Sequence, residues 1–211
     1  YCDLLEFVSF SYQMGVYLTF SESSAAGMDG AAAPDENYAR EMLQLFTIGL
    51  HQTDGQGREL RDVYGELIPT YATPEIEQFA RAFTGLRRTG QDQRLPMTPD
   101  LEARELGDKA LLDYEGSVPE GGYIPANPTA TEQDVIDEVG LAVANAFWHP
   151  NCPPFVAERL IQRFVTSNPT PAYIGRVADA FRGEGPYGSG ERGDLGAAIK
   201  AVLLDAEARD P

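Results

Sequence analysis

The sequence predicts a mainly α-helical fold: an irregular bundle of six to seven helices with one small β-hairpin excursion and a long irregular connector. Three observations support this fold class. Apolar residues recur at helical spacing in several segments, helix start and stop signals flank those segments, and Gly, Pro and Asp concentrate in two stretches between them. We therefore expect one helical domain over residues 1–211, with a hairpin insertion at 51–71 and the connector at 87–130.

The first helices are indicated by their apolar periodicity. A helix begins within residues 4–8 and continues, or restarts after a bend, within residues 12–20. Residues 21–33 are mostly small, which is typical of a loop, and Pro34 followed by an aspartate marks the start of the next helix. Gly49 is the natural end of that helix.

The remaining helices have clearer boundaries. Thr73 is a predicted N-cap, Pro74 occupies the first helical position, and Gly85 ends this helix. The apolar pattern predicts four further helices, within residues 131–147, 152–165, 170–181 and 193–208. In the hairpin insertion, Asp-Gly and Tyr-Gly pairs are typical of turns between short strands.

The charge of the chain excludes several classes of partner. Asp and Glu number 33 against 16 Lys and Arg, which gives a formal net charge of −17. Because such a surface repels phosphate groups, we expect neither nucleic acid nor an anionic membrane as partner. No apolar run approaches the roughly 18 residues of a membrane span, so we expect no transmembrane segment in this fragment. The chain begins without Met and shows no signal peptide, which predicts a piece of a longer protein.

Metal and cofactor sites are not indicated by the sequence. Cys2 and Cys152 are far apart and form no CxxC pair, and the two histidines are His51 and His149. The Asp-Gly pairs lack the alternating carboxylates of a calcium loop. The glycine-rich segment before the last helix lacks the ordered Gly-Lys-Ser/Thr of a phosphate loop. We therefore expect no metal and no cofactor.

Four segments together resemble one protein family. The segments "ENYAREMLQLFTIGL" and "YATPEIEQFARAFTGL" are similar to the two most recognisable blocks of the bacterial "domain of unknown function 1800" family (DUF1800). The segments "FWHPNCPPFVAERLIQRFVTSNPTPAYIGRVADAF" and "RGDLGAAIKAVLLDAEAR" resemble its C-terminal half. The resemblance implies the C-terminal portion of the family domain, in an exported, largely helical protein that is extracellular or located at the cell surface. It brings no established reaction.

The resemblance has two further consequences. The family connector often contains a His-Glu-x-Gly-x-Lys-like stretch, and here "RELGDK" puts Arg104 where that histidine would stand. This departure argues against a catalytic histidine in the connector. The implied export also allows a disulfide between Cys2 and Cys152, although a cysteine is equally suited to burial as a small apolar residue.

The polar face of the "ENYARE" helix is the first candidate site. One interpretation is acid–base catalysis or ligand binding by Arg40 and Glu41. The other is a structural polar clamp, in which Asn37, Arg40 and Glu41 hold neighbouring elements. The partners expected by charge include Arg159 and Arg163. We favour the clamp, because a buried charged pair destabilises every arrangement of helices that leaves one charge unpaired.

His149 is the second candidate, because it lies in "FWHPNCPPF" between two predicted helices. One interpretation is a catalytic histidine beside Cys152. The other is a helix C-cap, in which the ring closes the last turn and Pro150 prevents its continuation. We favour the cap, because the sequence nominates no group that would orient a base for a nucleophilic cysteine.

These observations favour a non-enzymatic structural or interaction module of an exported or cell-surface protein, with other protein subunits or an extracellular polymer as partners. One alternative is a hydrolase-like enzyme that uses the Arg40/Glu41 cluster. Another is a carbohydrate- or polymer-binding domain that uses exposed tyrosines, such as Tyr64 and Tyr123. Fold class alone does not choose between these functions.

Overall fold

The computed structural model describes residues 1–27 and 33–209 and confirms the mainly α-helical fold class. Within that described part, the α-helices are α1 (Cys2–Ser9), α2 (Tyr12–Tyr17), α3 (Asn37–Glu41), α4 (Thr73–Ala82), α5 (Glu132–Trp148), α6 (Cys152–Phe164), α7 (Pro171–Arg182), α8 (Leu195–Leu204) and α9 (Ala206–Arg209). A π-helix over Met42–Thr47 continues α3, and a 3₁₀ turn covers Glu120–Gly122. None of the described helices is long and apolar enough to cross a bilayer. The predicted loop at 21–33 falls partly outside the described residues.

Residue contacts divide the chain into two compact units. Unit 1 consists of Tyr1, Gln44–Thr70 and His149–Pro211. Unit 2 consists of Cys2–Leu43 and Tyr71–Trp148. Each unit is assembled from pieces that are distant in the sequence. The periodicity of single segments therefore could not reveal the division.

Three helices form the core of unit 1, because the apolar stripes of α6, α7 and α8 pack against one another. The buried residues of this core are Ala157, Ile161, Tyr173, Ile174, Val177, Ala178, Ala180, Ala201 and Val202. The helix α7 begins where the Thr170 hydroxyl accepts the N–H of Tyr173, and it ends at Gly183 in the left-handed conformation. The Tyr173 hydroxyl donates to the carbonyl of Val202 (2.5 Å) and so ties α7 to α8.

A cluster of packed aromatic side chains lies in the core of unit 2. The ring of Tyr38 on α3 stacks on Phe20, with 4.2 Å between ring centroids, and meets Phe83 edge-on at 4.9 Å. The Tyr38 hydroxyl shares a hydrogen bond with Ser9 of α1 (2.7 Å). This buried polar atom is therefore satisfied, and it links α1 to α3.

The connector at 87–130 is less irregular than the sequence predicts. β1 (Leu86–Arg87) pairs antiparallel with β2 (Thr98–Pro99), and β3 (Lys109–Ala110) pairs antiparallel with β4 (Tyr123–Ile124). Strands of two residues are too short for an alternating apolar pattern to be recognised.

The predicted hairpin insertion is a closed arrangement of three short segments, termed here the ring (residues 50–70). Gln52, Leu60 and Ile68 occupy equivalent places in the three segments. Gln52 donates its N–H to the carbonyl of Ile68 (2.8 Å), Leu60 donates to Gln52 (2.8 Å), and Ile68 donates to Leu60 (3.1 Å). Three backbone hydrogen bonds therefore close the ring.

Two turns of one design connect the segments of the ring: turn A (residues 54–58) and turn B (residues 62–66). In each, an aspartate carboxylate accepts two backbone N–H groups, and a glycine with positive φ completes the turn. These residues are Asp54 and Gly57 (φ 76°) in turn A, and Asp62 and Gly65 (φ 86°) in turn B. Glycine adopts this backbone conformation without steric cost.

Candidate functional site

Unit 1 contains a cleft of about 520 Å³, which is lined by residues of the π-helix, the ring and the first half of α6. The apolar lining includes Leu45, Leu50 and Phe155, and the charged lining includes Glu59 and Glu158. The cleft therefore combines apolar contact surface with carboxylates. This combination is typical of binding sites, in which a few polar groups orient a ligand on an apolar surface.

Asn151 fixes the position of the ring beside α6. Its side-chain NH₂ group donates to the carbonyls of Ile48 (3.0 Å) and His51 (2.7 Å). Its side-chain oxygen accepts the N–H of Thr53 (3.0 Å). Asn151 is buried, so these bonds are shielded from water. One amide side chain thus holds the start of the ring at three points.

Gly49 allows the backbone to approach Phe155 closely. Its φ is +71°, and a Cβ atom at this position would lie 2.8 Å from the Phe155 ring. The Thr70 hydroxyl donates to the Gly49 carbonyl, and the Thr70 N–H donates to the carbonyl of Leu50 (3.0 Å). The two ends of the segment formed by residues 50–70 are therefore joined at the cleft.

Turn A lines one side of the cleft through Gly57. Its position is fixed because it packs closely against α7. A Cβ atom on Gly57 would lie 3.1 Å from Ile174, and one on Gly175 would lie 3.1 Å from Gln56. Two glycines, one on each side of this contact, therefore bring turn A and α7 together.

The polar groups of the cleft can bind a ligand or exchange protons. His51 Nδ1 lies 3.7 Å from the Glu59 carboxylate, and the Arg159 guanidinium lies 5.2 Å from the centre of the Phe155 ring. The hydroxyl oxygen of Thr53 is buried and has no hydrogen-bond partner among the described residues. The arrangement suits recognition of an apolar group together with a neighbouring donor.

Asn37, Arg40 and Glu41 lie on α3 in unit 2, where two of them make local contacts. Arg40 forms an ion pair with Glu36 one helical turn earlier (2.8 Å), and the N–H of Asn37 donates to the Asp35 carboxylate (2.8 Å). One oxygen of Glu41 is buried and has no hydrogen-bond partner in the described part of the chain.

Arg159 and Arg163, the expected partners of the clamp, lie on α6 in unit 1. Arg159 pairs with Glu158 (3.0 Å) and lines the cleft, whereas Arg163 is exposed. The clamp between α3 and α6 stays a prediction.

His149 lies between α5 and α6 and accepts hydrogen bonds from the residues that follow it. It follows the last residue of α5, its Nδ1 accepts the N–H of Asn151 (3.1 Å), and its carbonyl accepts the N–H of Cys152 (3.0 Å). Burial, with the charge of Arg192 as a smaller cause, lowers the pKa of His149 to about 4. The imidazole is therefore neutral near pH 7 and accepts a hydrogen bond from the segment that leads into α6. Its role as the C-cap of α5 stays a prediction.

Cys2 and Cys152 are free thiols in the structure. The disulfide that export would allow between them stays a prediction. The sulfur of Cys2 lies 4.0 Å from the Glu6 carboxylate, and Cys152 is fully buried at the start of α6. Burial, followed by the charges of Glu6 and Asp3, raises the pKa of Cys2 to about 11. A thiol with so high a pKa forms little of the thiolate that disulfide formation requires.

A buried charged cluster in unit 2 was not found from the sequence. The side chains of Arg104 and Lys109 are fully buried, and both bind one oxygen of Glu138 on α5, at 2.7 and 2.8 Å. Burial lowers the pKa of both cations, and Glu138 opposes that shift. The "RELGDK" stretch thus places two cations on one carboxylate. One feature of the sequence could have indicated this cluster: two cations occur within six residues of an otherwise acidic connector.

The described residues contain no group of three or more His, Cys, Asp or Glu side chains that is placed to hold a metal ion.

The family model described as "Protein of unknown function (DUF1800)" matches residues 1–211, the whole length of the chain. No curated protein and no solved structure matches the chain.

Proposed function

The chain belongs to the DUF1800 family of proteins of unknown function, and from its geometry we propose that it is a non-enzymatic interaction module of an exported or cell-surface protein. The cleft of unit 1 is the binding site. Its partner is a polypeptide with a protruding segment, in which apolar side chains stand next to a basic residue.

The observation that supports this proposal is the exposed apolar surface of the cleft, which lies within a frame formed by the ring and the start of α6. Leu45 is 55% and Leu50 is 49% exposed, and both line the cleft beside Phe155. Covering an apolar side chain of this size stabilises a complex by about 1.5–3 kcal/mol when burial is complete. Asn151 and Gly49 already hold the frame in place. Binding therefore orders little additional chain.

The charges around the cleft favour a basic partner. Glu59 and Glu158 are partly exposed carboxylates, and the nearby Arg159 already pairs with Glu158. The whole chain has a net charge of −17, which attracts basic partners and repels acidic polymers. A basic residue beside the apolar segment would therefore increase both the rate of association and the specificity of binding.

Export is the second part of the proposal and is supported by the family resemblance. Protease treatment of intact native cells, followed by detection with an antibody against this chain, tests it. We expect the chain to be degraded while a cytoplasmic control protein stays intact. Degradation of this chain only after cell lysis would contradict location at the surface.

Fluorescence anisotropy with labelled peptides tests the cleft. The probes are short peptides with a central Val-Tyr pair, flanked by Lys in one series and by Glu in the other. We expect the Lys series to bind and the Glu series to bind at least about tenfold more weakly. Leu45→Glu should weaken binding of the Lys series to a similar extent, because it places a charge where an apolar contact forms.

Leu203→Glu is the matched control for Leu45→Glu. Leu203 on α8 has a similar exposure (51%) but does not line the cleft. Binding of the Lys series should be unchanged in this variant. Equal losses in the two variants, or no binding of either peptide series to the wild type, would show that the cleft is not the binding site.

A hydrolase is the second candidate, and the His51–Glu59 pair favours it. An imidazole held 3.7 Å from a carboxylate can act as a general base. Chromogenic esters and glycosides test this candidate by comparing turnover of the wild type with that of His51→Gln. Arg40→Met and Glu41→Gln test in the same assay whether the Arg40/Glu41 cluster is catalytic instead. Turnover that His51→Gln abolishes without loss of peptide binding would establish chemistry in the cleft.

Soluble oligosaccharides, added as competitors of the peptide, test the carbohydrate-binding alternative.

A further inference from the structure

The cleft of unit 1 already holds a cation of its own chain. The guanidinium of Arg159 lies over the ring of Phe155 and pairs with Glu158, and all three residues line the cleft. We propose that Phe155 and Glu158 form a subsite for an arginine side chain of the partner polypeptide, and that Arg159 occupies this subsite until that side chain replaces it. This inference rests on the proposed function, because it specifies which basic residue the cleft binds.

Helical spacing brings the groups of the subsite together. Glu158 and Arg159 follow Phe155 by three and four positions on α6, so the three side chains share one face of the helix. The backbone of Gly49 supports the Phe155 ring, because a Cβ atom on Gly49 would lie 2.8 Å from that ring. The aromatic part of the subsite is therefore held from two sides, by α6 and by the start of the ring segment.

The contacts of Arg159 are those that a guanidinium makes best. Its central carbon lies 5.2 Å from the centre of the Phe155 ring, which is within the range of about 6 Å for attraction between a cation and an aromatic ring. One of its terminal nitrogens lies 3.0 Å from the Glu158 carboxylate, and the other donates to the side-chain oxygen of Gln162 (2.8 Å). A planar guanidinium makes these contacts at once, whereas the compact ammonium of lysine lacks the fork that joins them. The subsite therefore favours arginine over lysine.

Arg159 is held weakly enough to be replaced. Its side chain is 54% exposed and that of Glu158 is 30% exposed. Ion pairs and cation–π contacts at exposed positions stabilise a fold only slightly, because water competes for the charged groups. An arginine of the partner makes the same contacts, and its apolar neighbours also cover Leu45 and Leu50. The exchange therefore favours the partner.

Occupation of the subsite makes the cleft selective. A ligand gains from Phe155 and Glu158 only after it has displaced Arg159, so a cation that makes poorer contacts than Arg159 gains little. The apparent affinity is reduced by the fraction of time for which Arg159 occupies the subsite. Arg159 is therefore a specificity-determining residue of the cleft, and its removal should strengthen binding.

Fluorescence anisotropy tests this expectation with the Val-Tyr peptides, now flanked by Arg, Lys or Gln. The wild type should bind the Arg series at least about threefold more tightly than the Lys series. Arg159→Gln should bind the Arg series at least about fivefold more tightly than the wild type does, which corresponds to a subsite that Arg159 occupies for about four-fifths of the time. Arg159→Lys should also increase this affinity, because it keeps the charge and removes the guanidinium.

Arg163→Gln is the matched control for Arg159→Gln. Arg163 lies one turn further along α6, is exposed and lies outside the cleft, so its substitution changes the net charge equally. It should change the affinity for the Arg series less than about twofold. The Gln series should bind the wild type and Arg159→Gln equally, because a neutral peptide does not compete for the subsite.

Nuclear magnetic resonance reports the displacement of Arg159 directly. The side-chain Nε–H signal of Arg159 is identified by its loss in Arg159→Gln. Addition of the Arg peptide should move this signal to the position of an arginine in water, because the side chain leaves Phe155 and Glu158. A signal that does not move when the peptide saturates the wild type would contradict the exchange.

Two binding results would also overturn the inference: no gain in affinity for the Arg series in Arg159→Gln, or an equal gain in Arg163→Gln. Binding by the wild type separates this inference from the proposed function. If the wild type binds the Lys and Arg series and Arg159→Gln gains nothing, Arg159 does not occupy the subsite and the cleft remains a binding site. If the wild type and Arg159→Gln bind none of the peptides, both proposals fail.

Discussion

At the residue scale, Gly49 is restricted by its backbone conformation and by its neighbour. A side chain at φ +71° costs about 1–2 kcal/mol, and overpacking against Phe155 adds about 1–3 kcal/mol. Gly49→Ala should therefore lower the free energy of unfolding by about 2–5 kcal/mol in urea titrations. Gly65→Ala is the matched control, because Gly65 also has positive φ but has open space around it. Equal losses in the two variants would show that the contact with Phe155 is unimportant.

His149 makes stability depend on pH. Burial, and to a smaller extent Arg192, lowers its pKa in the folded state from 6.5 to about 4. Between these two pH values the unfolded chain binds more protons than the folded one, so stability falls as pH decreases from 6.5 towards 4. The loss amounts to at most about 3 kcal/mol. His149→Asn should flatten this part of the curve when unfolding is measured from pH 7 to pH 4. An unchanged slope would contradict the assignment.

Local contacts of single residues could be predicted from the sequence, and distant ones could not. The ion pair between Glu36 and Arg40 depends on neighbours one helical turn apart, and the structure shows it. Asn151 directly follows the residue pair that was interpreted as a cap. Its partners, however, are Ile48, His51 and Thr53, about 100 positions away. No local pattern indicates such a contact.

At the scale of elements, Asn151 should decide whether the ring stays in place. Asn151→Ala leaves two buried carbonyls and one N–H without their partner, which costs about 3 kcal/mol in total. Hydrogen exchange should accelerate at the amides of Gln52 and Leu60 and remain slow in α8. The control is Asn168→Ala, since Asn168 is exposed. Unchanged exchange in the ring would mean that other contacts hold it.

The cluster formed by Arg104, Lys109 and Glu138 should be essential for unit 2. Glu138→Gln removes the shared carboxylate and leaves two buried cations without their counter-charge, which costs about 3–5 kcal/mol. Chemical unfolding should show this loss. Asp137→Asn, which changes an exposed carboxylate on the same helix, should cost less than about 1 kcal/mol. Similar effects of the two substitutions would assign the cluster no structural role.

Elements with strong local signals were predicted, whereas those that depend on long-range pairing were not. Thr170 and Gly183 delimit α7 because capping is a local property. The π-helix has no comparable signal, and the third segment of the ring closes by pairing with both of the others. One signal was present in the sequence: the Asp-x-x-Gly spacing of Asp54 and Gly57 recurs eight residues later in turn B. It indicates two equal turns, although not their closure into a ring.

At the scale of the whole molecule, unit 1 was the least predictable feature. Three pieces of chain build it, and its cleft combines residues near position 50 with residues near position 155. Arg159, an expected partner of the polar clamp, lines this cleft. Tertiary packing decides which side chains share a cleft, and periodicity reports only which face of a helix is buried.

The net charge of −17 determines how the folded chain responds to salt. Like charges are closer together in the folded state than in the unfolded one, so their repulsion destabilises folding. The Debye length falls from about 10 Å at 0.1 M to about 3 Å at 1 M salt, which screens exposed charges and hardly affects the buried pair between Arg104 and Glu138. The thermal midpoint should therefore rise with sodium chloride, by about 2–4 °C for each kcal/mol gained. Calorimetry over this salt range measures the effect, and the same series at the isoelectric pH is the control, because repulsion is minimal there. A midpoint that falls with salt at neutral pH would mean that exposed ion pairs, such as that of Arg58 with Asp54, outweigh the repulsion.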